Sequence, residues 1–170
     1  MRSSANLYIP LVVLPGVVLV QTSFLSRLQI GGFRLDLVLL VVVSWSLTRG
    51  TREGMYWGFI GGGLVGLFSV VPLGTHMLAM TLAGFVAGVG EQNVFRQNPL
   101  LSLGITVVAT ATYYFTSMLL LHLLGWNIAW MQTSLTVVLP ITLFNVLAVP
   151  VVYRLMQPLR RLTGPPELSW

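Results

Sequence analysis

Few residues in this chain could do chemistry: four acidic side chains, two histidines and nine arginines, with no cysteine and no lysine. General acid–base catalysis needs two titratable groups that converge, and a metal needs several ligands. Here Asp36 stands two residues after Arg34, Glu53 is adjacent to Arg52, His76 follows "PLG", and His122 lies near the end of an apolar run, each without a second ligand nearby in sequence. No G-x-S-x-G elbow occurs, and the glycine-rich "IGGGLV" lacks the basic residue of a phosphate loop. The inventory predicts no enzyme, no metal and no cofactor.

Two uncharged patterns remain. Ser102, Thr106, Thr110, Tyr113 and Ser117 fall on one helical stripe. They read as interhelical contacts whose hydroxyls bond the carbonyl one turn back, or as the polar wall of a solute cavity. Asn145 lies between Pro140 and Pro150, where it is expected to bond carbonyls freed by the prolines in preference to binding a substrate.

The elements that carry these residues are apolar. Hydrophobic residues make up 55% of the chain, charged residues 8%, and the mean hydropathy is +0.86. Soluble domains carry roughly 25% charged residues, so this composition predicts a polytopic membrane protein. A net charge of +5 without a basic patch of interleaved aromatics argues against nucleic acid and for contact with anionic lipid headgroups. Absent cysteines also exclude disulfides and thiolate catalysis.

Apolar runs cover Leu7–Leu25, Leu35–Thr48, Gly54–Val71, Thr75–Val89, Leu100–Leu124 and Thr133–Met156. The predicted fold is all-α, one compact bundle of about six transmembrane helices over 1–157 with a short cytoplasmic tail over 158–170; five helices is the rival count. The second and fourth runs are shorter than the ~20 residues that cross a bilayer upright, so they read as broken at their ends or capped by neighbours. The first run lacks a small-x-small cleavage site and reads as a retained helix bent by Pro10 and Pro15. Pro158, Pro165 and Pro166 predict that the last helix stops near the tail.

Alternate loops divide the arginines unequally. With both termini cytoplasmic, Arg2, Arg49, Arg52, Arg96, Arg154, Arg160 and Arg161 lie inside, and Arg27 and Arg34 outside. Seven against two predicts that orientation, with Trp126 and Trp130 as an outer interfacial anchor. Arg154, Arg160 and Arg161 become candidates for lipid or cytoplasmic docking, and Arg49 and Arg52 for docking a cytoplasmic protein. Adjacent Arg52 and Glu53 read as a solvated turn.

Gly54, Gly58, Gly62 and Gly66 recur at every fourth position, a ladder of missing side chains along one helix face. Lipid is as apolar as leucine, so membrane helices associate through close backbone approach, which small residues permit. The face packs against a neighbouring helix of the same chain or receives one from another protein. Asp36, at the mouth of the second run, reads as an N-cap or as a specific partner contact.

Residues 34–88 carry a resemblance. Asp36 opens an apolar run, Trp45 stands near its end, Arg49 to Arg52 make a basic turn, "GFIGG" spans 58–62, and Pro72-Leu73-Gly74 precedes another apolar helix. In this order the segment resembles the MreD family of rod shape-determining proteins, and "VPVVYRLMQPLRRL" is similar to the family's basic ending. Family members often place an aspartate inside the third helix. This chain has Gly66 there, so no role for that carboxylate carries over.

The resemblance implies a non-enzymatic scaffold of the bacterial cell-elongation machinery. Its partner would be the single-span protein MreC and, through it, MreB filaments, RodA and a class B penicillin-binding protein of peptidoglycan synthesis. Interface candidates are then Gly54, Gly58, Gly62, Gly66, Asp36, Arg49, Arg52, Pro72 and Gly74. The alternative is a small-solute binding or transport subunit, similar in size to the substrate-binding components of energy-coupling vitamin importers.

Overall fold

The computed structural model describes residues 5–25, 36–90 and 99–162. Helix α1 (Ala5–Val20) continues as a π-helical turn, Gln21–Leu25. Then come α2 (Leu37–Arg49), α3 (Thr51–Leu67), α4 (Leu73–Val89) and α5 (Pro99–Leu123). The short α6 (Trp130–Thr133) runs through a second π-helical turn, Ser134–Val138, into α7 (Leu139–Leu162). The described residues are therefore all-helical, and each predicted apolar run corresponds to one helical rod. By length and composition two of the helices, Leu101–Leu123 and Trp130–Met156, are able to cross a membrane; Tyr8–Ser23, Leu37–Arg49 and Gly74–Val89 are shorter apolar helices.

α2 is the central rod. Its sequence, LVLLVVVSWSLTR, is apolar on every face, and every residue from Val38 to Leu47 is buried. A helix apolar all round belongs inside, and α2 touches α1, α3, α4, α5 and α7. Thirteen residues span only about 20 Å, so its ends lie within the protein and need partners. At the start, Asp36 Oδ1 accepts from Leu39 N at 3.1 Å, the Asp36 carbonyl accepts from Leu40 N at 3.0 Å, and Gln21 Oε1 accepts from Val38 N at 3.0 Å. The π-helical end of α1 thus supplies one of the caps of α2.

Two boundaries differ from expectation. α3 begins at Thr51, because Gly50 alone turns the chain with φ of 87°. Arg52 and Glu53 are consequently in the first helical turn, where an acidic group complements the helix dipole. At the other end of the chain α7 passes through Pro150 and Pro158 to Leu162. Proline keeps a helical φ and forfeits one backbone bond, so it need not end a helix whose other turns are intact. Arg2, Arg27, Arg34, Arg96, Pro165 and Pro166 lie outside the described residues, as do the connections at 26–35 and 91–98.

Candidate functional site

The glycine ladder meets α4. A Cβ at Gly54 would lie 2.7 Å from the Gly84 carbonyl oxygen, one at Gly58 would lie 2.8 Å from the Met80 carbonyl carbon, and one at Gly62 would lie 2.7 Å from the Met77 Cα. Beyond them, Gly88 of α4 faces the backbone of Gly50 and Thr51. Each advance of four residues on α3 is matched by a retreat of four on α4, the register of two antiparallel helices in backbone contact. The face of Gly54, Gly58 and Gly62 is therefore filled from within the chain and does not receive a helix from another protein. Gly61 is turned instead toward Val38 and Val42 of α2, and Gly66 is buried.

At the Arg49 end, the tight Gly50 turn brings α2 and α3 side by side. Trp45 and Trp57, both buried, stack with ring centroids 4.4 Å apart. Trp45 Nε1 donates to Glu53 Oε2 at 2.9 Å, and the Arg49 guanidinium lies 5.5 Å over the Trp45 ring. Glu53 is thus a half-buried acceptor rather than part of a solvated turn. Its helical start places it across from the indole, a relationship hidden when residues 49–53 are read as a loop. Arg49 is committed to the aromatic face, whereas Arg52 is exposed.

The Asp36 end gathers the polar residues. Asp36 is buried as the cap of α2, and Gln21 also hydrogen-bonds its side chain. His76 Nδ1 lies 2.8 Å from the Tyr113 hydroxyl and Nε2 lies 3.1 Å from the Ser69 hydroxyl. Tyr114 meets Tyr113 edge-on, and Asp36 lies within electrostatic reach of both tyrosines. Pro72, the N-cap residue of α4, and Gly74 are exposed beside this cluster. The His76–Tyr113 pair joins residues 37 positions apart, which no local spacing announces.

The hydroxyl stripe of α5 faces inward throughout. Ser102, Thr106, Thr110, Tyr113 and Ser117 are all buried. Thr106 bonds the Ser102 carbonyl and Ser117 the Tyr113 carbonyl, each at 2.8 Å, as hydroxyls in membrane helices do. Asn145 departs from its expected role: it is fully buried, and among the described residues neither amide atom has a partner. It points into the core, while Thr136 and Thr142, flanking Pro140, bond the carbonyls of Gln132 and Val138 at 2.7 Å. Ser44 and Thr110 hydroxyls are also unpartnered, and the helices bearing these three residues, α2, α5 and α7, touch one another. Arg154 is exposed on α7; Arg160 and Arg161 are helical, and their side chains lie outside the described part.

Among the described residues no three His, Asp or Glu side chains gather as a metal site. The clusters hold helices to one another, in a chain whose exposed surface is rich in leucine, valine and phenylalanine. The sequence model of the family described as rod shape-determining protein MreD matches residues 1–160. The chain belongs to the MreD family. That match extends the resemblance of residues 34–88 over nearly the whole chain, and membership places this MreD chain among membrane proteins with a role in rod-shape determination. Searches of curated proteins and of solved structures find no match.

Proposed function

We propose that this chain is a non-enzymatic scaffold of the bacterial cell-elongation complex. It crosses the inner membrane six times with both termini in the cytoplasm and binds a single-span MreC-like protein. Through that partner it supports MreB, RodA and a class B penicillin-binding protein in building lateral-wall peptidoglycan. The observation that carries the reading is the family match over residues 1–160. It is supported by the arginine asymmetry, which favours an orientation with the Arg49 end inside, and by titratable residues engaged in holding helices together.

Because α4 fills the glycine face, the partner helix packs elsewhere. Of the sequence candidates, Arg52, Pro72, Gly74 and Arg154 are exposed and serve as docking points. Arg154, Arg160 and Arg161 meet anionic lipid headgroups, each contributing about 1 kcal/mol near the surface. Purification from the native membrane tests the proposal. Recovery of a stoichiometric single-span protein supports it, whereas a retained small molecule with an ATPase pair supports a transport subunit instead.

A further inference from the structure

Ser46, Thr106 and Ser117 turn their buried hydroxyls back onto their own helices, bonding the carbonyls of Val42, Ser102 and Tyr113 at 2.7, 2.8 and 2.8 Å. Ser44 and Thr110 do not. Their hydroxyls and both amide atoms of Asn145 are buried without a partner among the described residues, on side chains that are each 0% exposed. A buried polar group left unpaired costs free energy, so such groups call for a partner.

Helix register brings the three residues to one depth. α5 and α7 run in opposite directions away from the turn at Gly125, where the rings of His122 and Trp130 lie 5.8 Å apart. Fifteen residues on from Trp130 is Asn145, and fifteen back from His122 is Val107, one turn from Thr110. α5 also runs against α4, which it meets at His76 with Tyr113 and at Gly90 with Ile105, and therefore against α2. Asp36, which caps α2, lies within electrostatic reach of Tyr113 and Tyr114; eight residues on from it is Ser44, and eight back from those tyrosines are Ile105 and Thr106. A helical side chain leans toward the N-terminus of its own helix. Ser44 and Asn145 thus lean one way and Thr110 the other, toward a common level between α2, α5 and α7, which touch one another.

The chemistry of these atoms selects their ligand. The amide carries two hydrogens to donate and an oxygen that accepts, and each hydroxyl does both. A cation would leave the amide hydrogens unpaired. An anion would leave the amide oxygen unpaired and would meet no positive side chain, since Asp36 is the charged residue buried among those described, and it is committed to the α2 cap. Water donates and accepts, and buried water characteristically makes about three hydrogen bonds to groups of this kind.

We propose that Ser44, Thr110 and Asn145 form a hydration site in the middle of the bundle, where bound water joins α7 to α2 and α5. Ordering water costs entropy, so this joint is weaker than the apolar packing that would replace it. The site is internal to the chain and separate from any surface that receives a partner.

Water itself is the probe. In the isotope-labelled, full-length protein in lipid nanodiscs, the Asn145 side-chain amide is identified in nuclear magnetic resonance spectra by its loss in Asn145→Leu, and magnetisation transfer from water to its hydrogens is measured. A signal requires water at the site, whether it passes directly or through a hydroxyl that exchanges with water. The expected result is clear transfer in the native chain, retained in Thr106→Val, whose hydroxyl is already bonded to its own helix, and lost when Ser44→Ala and Thr110→Val are combined. No transfer in the native chain overturns the proposal, and that reading stands alone if the double variant does not fold. Transfer unchanged in a folded double variant overturns it too, as does a small solute released in stoichiometric amount when the purified protein is denatured. None of these readings needs a partner protein, so they are independent of the scaffold reading.

Discussion

Gly58 of α3 lies against Met80 of α4 so closely that a methyl group at position 58 would come within 2.9 Å of the Thr81 Cα as well as onto the Met80 carbonyl. Backbone, unlike the tip of a side chain, cannot turn aside. The same relation holds at Gly54 with Gly84 and at Gly62 with His76, so one close crossing runs most of the length of both helices. In lipid such contact takes the place that hydrophobic burial has in water.

Leucine at Gly58 or Gly62 should therefore lower the melting temperature of the detergent-solubilised protein, by the ~1–3 kcal/mol typical of overpacking or more. Gly104→Ala on α5, where an added Cβ meets nothing within 4 Å, should leave melting unchanged or raise it. Melting of Gly58→Leu unchanged, like that of Gly104→Ala, would show that α3 and α4 do not touch as described.

The spacing of these glycines is visible in the sequence, and it implies a close helix contact. Its recipient is not visible, because α4 and a foreign helix are equally apolar and the choice is made by the short connection that folds α4 back. The central position of α2 is legible from its unbroken apolar surface, and Asp36 from its place just before it. The partners of Glu53 and His76 are not legible in the sequence. Each depends on helix rotation: Glu53 faces Trp45 only because α3 starts directly after Gly50, and His76 reaches Tyr113 only once α4 and α5 are packed. Pro158 does not end α7, since one proline costs a bond and not a helix.

Glu53 should matter through the indole it accepts from. Glu53→Leu leaves the Trp45 N–H buried without a partner and should cost ~1–3 kcal/mol, while Glu53→Gln retains a carbonyl acceptor and should cost less. Tryptophan fluorescence during thermal unfolding reads both. Identical melting of the two variants would remove the Trp45–Glu53 bond from the set of stabilising contacts.

Asp36 is expected to act as a cap. Asp36→Asn keeps an oxygen for the Leu39 N–H, whereas Asp36→Ala loses it at a cost of ~1 kcal/mol. Comparison of the two by chemical unfolding distinguishes a cap from a charge, since a charge-dependent role makes both variants equally poor.

Asn145 leads to a prediction of the opposite sign. A buried amide without a protein partner is worth less than an apolar group of similar size, so Asn145→Leu should raise the melting temperature. A lower one would show that the amide is bonded in the membrane.

The most direct measurement for a rod-shape scaffold is the outline of living cells. Depletion of this protein in its own bacterium should turn rods into spheres, and expression of the native chain should restore them. Re-expressed Gly104→Ala should also restore rods, while Gly58→Leu should not, because it separates the helices that the scaffold is built from. Cells that remain rods after complete depletion would contradict the proposed function.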